Sequence, residues 1–425
     1  MSKRKRKSKN KLVKLIIIIM VIFVLGIGVY FIIDKDGFYE EEKIDTSMYY
    51  NEFVKTNKES DIYIKENGEY KKIGVIGNDV ELSLNEIVDV QEPYFNIKEF
   101  DGEYYINYQD VDKITELLKQ DDRYKVYIVF NNNVKTEETT NFYDEEGNLI
   151  YSINQGYSLP IIIKEDDMYG VEFNNRLLYI KNDECEIIDN YNTDKTNSSG
   201  VGVLNYHFFY DDNDAEESRG CREEICVSKT QFISELDFLD DNNIITIKSQ
   251  ELEDYIDGKI QLPKSVYITI DDGGRNEVGL ELLTEREEYA TVFLITDWYD
   301  PSTYYKSEYI ELHSHGDDIH DQYRCNVGRQ GGAIQCEDRD ILLADLRLSR
   351  EKLGGSTVFA YPFYEYNDYA ISILKEAGFT MAFVGESWTS DNLVKVGMNK
   401  YTLPRFVMVN YTTKNDLTKY FGRIK

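Results

Sequence analysis

The distribution of apolar and polar positions along the chain begins with one long apolar run. Residues 15–33 (LIIIIMVIFVLGIGVYFII) are nineteen consecutive positions without a charged side chain. A helix of that length, at about 1.5 Å per residue, nearly matches the roughly 30 Å hydrocarbon core of a membrane. A cleaved signal peptide is the alternative, but its apolar region spans only about 7–15 residues and ends at a small-residue cleavage site. We therefore predict an uncleaved transmembrane anchor behind a basic cytoplasmic segment, residues 1–14, so that the protein is a single-pass membrane protein with its C-terminal domains outside.

Alternation with a period of two dominates the next part of the chain, after a polar stalk at residues 34–60. Segments such as DIYIKENGEYKKIG and LPIIIKEDDMYGVEF alternate apolar and polar positions between turn residues, which is typical of antiparallel strands. The stretch also repeats itself weakly after about 80 residues. We predict two small β-rich modules within residues 61–190. They resemble bacterial SH3-like modules, and a spacer without a ligand is the alternative.

A rhythm of strands and helices follows a polar linker at residues 191–200. Amphipathic helices are predicted to begin after Ser228, near Asp338 and after Asn367. This alternation predicts an α/β fold for residues 201–425, with a parallel sheet closed into a (β/α) barrel whose chemistry lies at the carboxyl ends of the strands. The predicted strands are 201–209, 244–247, 265–270, 290–296, 309–315, 357–361 and 403–409.

The charge composition of the chain argues against some classes of binding partner. The chain has 48 basic and 78 acidic side chains and a formal net charge of −30. Such a surface repels nucleic acid and anionic lipid, so neither is expected to bind the protein, and the membrane is expected to be contacted only through the N-terminal helix.

Cysteines in an exported chain favour disulfides, and we predict the pairs Cys221–Cys226 and Cys325–Cys336 with Cys185 left over. Four thiolates around zinc are the alternative, although neither spacing suits a zinc ribbon.

Candidate chemistry is concentrated at two predicted strand ends. Three of the four histidines lie in ELHSHGDDIHD, where His315 ends a strand and His320 follows in the loop. Another strand ends in TIDDG, which contains Asp271 and Asp272. Adjacent carboxylates repel each other and are costly to bury without a cation, although an Asx turn is the alternative explanation. One aspartate and two histidines with open positions make a Lewis-acid site that can bind and acidify water.

These motifs resemble those of the polysaccharide deacetylase family, the NodB-type carbohydrate esterases, over about residues 201–410. The resemblance implies that Asp271 is the general base. It also implies that Asp272, His315 and His320 hold a divalent metal, with zinc as the first choice. The five-residue spacing of the two histidines, the strand VLNYHFF and the lead-in LPKSVYITIDDGG are similar to the poly-N-acetylglucosamine deacetylase branch.

Several positions depart from the family pattern. The sequence AYPFY stands where the family has R-x-P-Y, so Ala360 replaces the arginine that orients the base. Phe363 stands where the family tyrosine does, and its backbone N–H is expected to help hold the oxyanion. The late family histidine, a general acid, is absent from LPRFVMVNY. We name His207 as the candidate acid, with a hydrogen-bonded structural histidine as the alternative, and expect Arg405 to order the site.

The remaining predictions concern the substrate. Trp298, Trp388 and Arg405 are the expected substrate-binding residues, the two tryptophans by stacking on sugar rings. His313, two residues before His315 on the same strand, is predicted to be a core histidine. The implied function is a membrane-anchored extracellular deacetylase of N-acetylated sugars in a cell-surface or cell-wall polysaccharide, and peptidoglycan and poly-N-acetylglucosamine both fit. The alternative is a catalytically impaired deacetylase-fold protein that binds cell-wall glycan, which the missing late histidine supports.

Overall fold

The computed structural model describes residues 53–85, 93–98, 100, 102–120, 122–190, 196–385 and 393–424. The chain divides into two compact units, Met1–Leu118 and Lys119–Lys425. The predicted anchor at residues 15–33 lies outside the described residues. Within the described ranges no helix is both long and apolar enough to cross a membrane. For the residues that the structure describes, the predicted localisation as a single-pass protein of the cell membrane is therefore wrong.

The described part of the first unit is made of short antiparallel strands. One sheet has the order β4-β1-β7, and a second is formed by β3, β2, β6 and β5 in that order. Alternate side chains such as Val54, Ile62, Phe95 and Ile106 are fully buried in the core. The strands are β1 (Phe53–Thr56), β2 (Ser60–Glu66), β3 (Glu69–Ile76), β4 (Glu81–Ser83), β5 (Tyr94–Ile97), β6 (Tyr104–Asn107) and β7 (Val111–Ile114).

The second unit begins with another antiparallel region. Its sheets contain β11-β8-β15 and β12-β13-β14-β9-β10. This region packs on the barrel that follows, because Ile163 bridges Ile260 and Arg123 donates two hydrogen bonds to the carboxylate of Glu251 at 3.1 and 3.0 Å. These strands agree with the β-rich pattern of residues 61–190, while the SH3-like identity and the module boundaries stay predictions. The strands are β8 (Asn132–Lys135), β9 (Thr140–Tyr143), β10 (Leu149–Ile153), β11 (Ser158–Pro160), β12 (Ile163–Lys164), β13 (Met168–Phe173), β14 (Arg176–Lys181) and β15 (Glu186–Asp189).

A parallel sheet surrounded by helices forms the rest of the second unit. Its strands are β16 (Gly202–Tyr206), β19 (Ile245–Thr246), β20 (Ser265–Ile270), β21 (Ala290–Leu294), β22 (Ile310–Ser314), β23 (Val358–Ala360), β24 (Met381–Phe383) and β25 (Phe406–Val407). A separate parallel pair is β17 (Phe208–Tyr210) with β18 (Cys226–Ser228). The helices are α1 (Ala215–Gly220), α2 (Lys229–Asp241), α3 (Ser249–Asp257), α4 (Glu277–Glu285), α5 (Arg339–Lys352), α6 (Asp368–Ala377) and α7 (Lys414–Phe421).

The order of the strands in this sheet is β24-β23-β22-β21-β20-β16-β25, with β19 paired to β20. A parallel bridge joins Phe383 of β24 to Leu403, just before β25, and so brings the two ends of the sheet together. Every residue of β16, β20 and β21 is buried, as expected for strands covered on both faces. The predicted α/β barrel domain is therefore confirmed.

Most of the predicted elements of the barrel form near the predicted positions. Ser228, Asp338 and Asn367 each accept a backbone hydrogen bond at the start of a helix, which confirms the three predicted helices. The predicted strand 201–209 is interrupted at His207, where β16 ends and β17 begins. The predicted disulfides Cys221–Cys226 and Cys325–Cys336 are both present, and Cys185 is free.

Candidate active site

The site begins at the turn that follows β20. Asp271 is almost fully buried, and its backbone N–H donates to the carbonyl of Tyr206 at 3.0 Å. Asp272 has a φ of 71° and Gly273 a φ of 94°, so the chain turns through the left-handed region at both residues. A side chain at Gly273 would lie 2.4 Å from Leu294 Cδ1, which explains the glycine. This turn directs two adjacent carboxylates to different neighbours.

The carboxylate of Asp272 faces two histidines from the end of β22 and the loop after it. Asp272 Oδ1 lies 3.5 Å from His315 Nε2 and 3.4 Å from His320 Nε2. These ligand atoms all lie within 4.8 Å of one another. The Nδ1 atom of His315 is 2.8 Å from the Ala360 carbonyl, a contact that orients the ring and leaves Nε2 toward Asp272.

This donor set fits a divalent metal. Ligand atoms about 2.0–2.1 Å from a common tetrahedral ion lie about 3.4 Å apart, close to the distances between Asp272 and the two histidines. The pKa of Asp272 is lowered because the histidines outweigh the effect of burial, so the carboxylate is ionised and ready to bind a cation. Three protein ligands with an open position are the pattern of a catalytic site.

The other carboxylate of the turn, that of Asp271, is bound by the arginine that directly precedes β25. Arg405, fully buried, donates from Nη1 and Nη2 to the two oxygens of Asp271 at 2.7 and 2.8 Å. It also donates from Nη1 to Thr269 Oγ1 and from Nε to the Val384 carbonyl. Burial by itself raises the pKa of Asp271, but Arg405 and the nearby histidines outweigh burial and lower it. Asp271 is therefore an oriented, ionised carboxylate.

The position of Arg405 differs from the predicted substrate contact. Its guanidinium is enclosed by Asp271, Thr269 and Val384 and has no solvent exposure. It binds the Asp271 carboxylate and has no surface open to a substrate. The strand order explains this position of Arg405. Because β25 lies beside β16, which in turn pairs with β20, Arg405 lies next to Asp271.

His207 lies on the other side of Asp271, with its Nε2 atom 4.0 Å from Asp271 Oδ2. Burial lowers the pKa of His207, although Asp271 and Asp272 act in the opposite direction. Its Nδ1 atom is buried and, within the described residues, has no hydrogen-bond partner. A buried ring nitrogen without a partner is uncommon in folded proteins, and this one has no surface open to solvent.

Two residues of this network were missed in the sequence. The hydroxyl of Tyr364 lies 3.2 Å from His207 Nε2 and donates to Asn205 Oδ1 at 2.9 Å. Tyr364 follows Phe363 in AYPFY, and Asn205 lies in VLNYHFF, so both stood inside quoted motifs. Nothing in either motif shows that the two side chains meet, because they are far apart in the chain.

Phe363 lies beside the metal ligands in a strained backbone conformation. Its φ is 58°, and its ring packs against His320 with centroids 4.4 Å apart. Outside its own short 3-10 helix, Pro362–Tyr364, its backbone N–H donates to no backbone carbonyl of the described residues. A free N–H at this position can donate to a substrate oxygen.

The remaining predicted residues are the two tryptophans and His313. Trp298 is 55% exposed, packs edge-on against His320 with centroids 5.4 Å apart, and lines a cavity of about 760 Å³. Trp388 lies outside the described residues. His313 is held between the hydroxyls of Ser356 and Ser249, at 2.8 and 3.1 Å, and so has both ring nitrogens occupied away from the metal ligands.

Comparison with known proteins gives one family-model match and several similar solved structures. A family model described as polysaccharide deacetylase matches residues 259–382. No curated protein sequence matches the chain. Similar solved structures include a de-N-acetylase from Aggregatibacter actinomycetemcomitans, with 22% identity over 52% of this chain and 99% of that chain and a TM-score of 0.44. IcaB from Ammonifex degensii has 20% identity over 53% and 98% of the two chains and a TM-score of 0.42. A polysaccharide deacetylase from Bacillus cereus has 15% identity over 78% and 96% and a TM-score of 0.43.

The matched stretch contains both strand-end motifs, from Asp271 and Asp272 to His315 and His320, and also Phe363. The match confirms the predicted class of enzyme, a polysaccharide deacetylase that hydrolyses carbon–nitrogen bonds other than peptide bonds. This match identifies a polysaccharide deacetylase domain within the chain, over residues 259–382.

Proposed function

We propose that the protein is a metal-dependent deacetylase that removes acetyl groups from N-acetylated sugars of a polysaccharide, either peptidoglycan or poly-N-acetylglucosamine. The observation that carries this proposal is that the two adjacent aspartates of one turn have different partners. Asp272 joins two histidines in a metal-binding group, while its neighbour Asp271 is held apart by Arg405. A protein that only binds glycan has no need of a base beside its metal.

The proposed metal is a divalent ion, with zinc as the first choice, and Asp272, His315 and His320 would hold it. When bound, such an ion supplies Lewis acidity, which polarises the acetyl carbonyl and acidifies water. Softer ligands are not required, because imidazole and carboxylate suit zinc well.

The protein groups then divide the proton transfers of amide hydrolysis. Asp271 accepts a proton from the attacking water, and Arg405 keeps the carboxylate fixed and ionised. The N–H of Phe363 donates to the carbonyl oxygen as negative charge develops there. His207 gives a proton to the sugar nitrogen as the carbon–nitrogen bond breaks. Acetate and a free sugar amine are the products.

Substrate binding is proposed to involve Trp298, whose exposed ring lies against His320 and could stack on a sugar ring. A role for Trp388 stays a prediction.

The test is acetate release by the purified protein from defined N-acetylglucosamine oligomers and, separately, from purified peptidoglycan. We expect release from at least one substrate, and loss of release when the metal is removed with a chelator and recovery when zinc is added. Binding to a glycan without any acetate release would favour the catalytically impaired binding protein instead.

A further inference from the structure

The loop between the two cysteines of the second disulfide turns around one carboxylate. Glu365 Oε1 accepts the backbone N–H groups of Arg329 and Gln330, the latter at 2.6 Å. Glu365 Oε2 accepts the N–H of Gly332 at 3.0 Å and the side-chain amide of Gln335 at 2.7 Å. Four donors on one carboxylate make a nest of the kind that usually surrounds a bound anion.

The sequence GRQGG of this loop fits that arrangement. Gly328 and Gly331 have φ values of 73° and 69°, which favour glycine. A side chain at Gly328 would lie 2.6 Å from Glu365 Oε2, so the backbone could not approach the carboxylate with any larger residue. Glu365 is therefore the fixed point around which the loop folds.

Glu365 directly follows the strained part of the site. Phe363 and Tyr364 have φ values of 58° and 65°, a left-handed conformation that is strained for non-glycine residues. The Tyr364 hydroxyl is held by Asn205 and His207. On the other side of the pair, the Glu365 carboxylate is held by the loop, and Gly332 of the loop is in reach of the Phe363 ring.

We propose that Glu365 is a positioning residue for the deacetylation reaction, and this inference rests on the function proposed above. By binding the loop, its carboxylate keeps Phe363 in the left-handed conformation, with the N–H free for the substrate oxygen and the ring against His320. Without the carboxylate, the strain at Phe363 and Tyr364 is released and the N–H turns away. The effect falls on the chemical step because the oxyanion exists only in the transition state.

The experiment compares Glu365→Ala and Glu365→Gln with Glu337→Ala in the full chain. Glu337 is the matched control because it directly follows Cys336, at the base of the same loop, and binds Arg324 at 2.9 Å. We expect kcat on an N-acetylglucosamine oligomer to fall about 10- to 100-fold in Glu365→Ala, below the roughly 10²–10³-fold of a lost oxyanion donor. Glu365→Gln keeps one acceptor oxygen, so its kcat should lie between those of Glu365→Ala and the wild type. KM should change less than about threefold in every variant.

Two further measurements separate positioning from loss of structure. Metal content and the midpoint of thermal unfolding are measured for each variant, and hydrogen exchange is followed at the amides of Arg329, Gln330 and Gly332. We expect full metal content and faster exchange at these amides in Glu365→Ala but not in Glu337→Ala.

A kcat within about twofold of wild type in Glu365→Ala, or a loss of metal parallel to the loss of rate, would overturn the inference. Exchange that does not depend on Glu365 would overturn it even if the wild-type protein released no acetate. Failure of the wild type to release acetate, with the exchange result as expected, would instead count against the proposed function alone.

Discussion

Arg405 and Asp271 form a bidentate pair in the interior of the barrel, with nitrogen–oxygen distances of 2.7 and 2.8 Å and at most 1% exposure for either side chain. Ala360 stands where the resemblance implied an arginine that orients the base, and we propose that Arg405 provides that orientation. The planar guanidinium fixes both oxygens of the carboxylate at once, which an ammonium group cannot do.

Replacing Asp271 by asparagine tests its role as the base. Asp271→Asn keeps the shape, removes the proton acceptor and leaves the three metal ligands intact. General-base catalysis contributes about 10²–10⁴-fold, so we expect acetate release to fall at least about 100-fold while metal content stays near wild type. Asp272→Asn, the neighbouring control, should lower both quantities. Equal loss of metal in the two variants would contradict the assignment.

Replacing Arg405 by lysine tests the orientation of the base. Arg405→Lys keeps the positive charge but loses the fork, and a base displaced by about 1 Å can cost up to about 100-fold in rate. We expect kcat to fall by about 10- to 100-fold with the metal retained. Arg350→Lys is the control, because Arg350 also binds backbone carbonyls but lies apart from Asp271. Wild-type kcat in Arg405→Lys would show that the fork is dispensable.

Removing single histidines tests the metal ligands. We expect His315→Ala and His320→Ala to lose the ion, since two remaining ligands rarely hold zinc tightly. His313→Ala is the matched control and should retain the ion, because His313 is bound by two serines. Elemental analysis of the purified variants gives the answer, and retention in His320→Ala with loss in His313→Ala would reverse the ligand assignment.

Changing the leaving group tests His207 as the general acid. A sugar amine must receive a proton to leave, whereas the phenolate of p-nitrophenyl acetate does not. We expect His207→Gln to lower the rate on the N-acetylated sugar at least about 100-fold and the rate on the ester less than about tenfold. Equal losses on both substrates would assign His207 a structural role instead.

The stability of the fold should depend on pH through Glu235. Burial raises the pKa of Glu235 to about 7, although Gln231 and Tyr206 donate hydrogen bonds to its carboxylate. Because the folded pKa is raised, the contribution of Glu235 to stability is greatest below the unfolded pKa of about 4.5 and is lost as pH rises through about 7, by an amount on the order of 3 kcal/mol.

Glu235→Gln should abolish that loss, because the amide stays neutral and can still pair with Gln231 and Tyr206. Urea unfolding at pH 5 and pH 8 measures the difference, with the exposed Glu281→Gln as the control. A wild-type protein that gains stability between these pH values, with Glu235→Gln behaving identically, would contradict this account.

Much of the fold and of the metal-binding group could be predicted from patterns within short segments of the sequence. The helix caps at Ser228, Asp338 and Asn367 were readable because a cap depends on residues within one turn. The metal-binding group was readable because its ligands follow two strands, and parallel strands place their carboxyl ends at one edge of the sheet. For the same reason the pairing of nearby cysteines could be predicted from spacing.

Only the tertiary structure decided which distant side chains meet. Arg405 reaches Asp271 because β25 pairs with β16, next to β20, and short strands of this kind carry little pattern of their own. Tyr364 meets Asn205 and His207, and Glu365 binds the loop at Arg329, through side-chain directions that a left-handed backbone sets. Such contacts depend on strand order, register and φ at single residues. A sequence constrains these quantities only through the packing of the whole domain, so they cannot be read from any one segment.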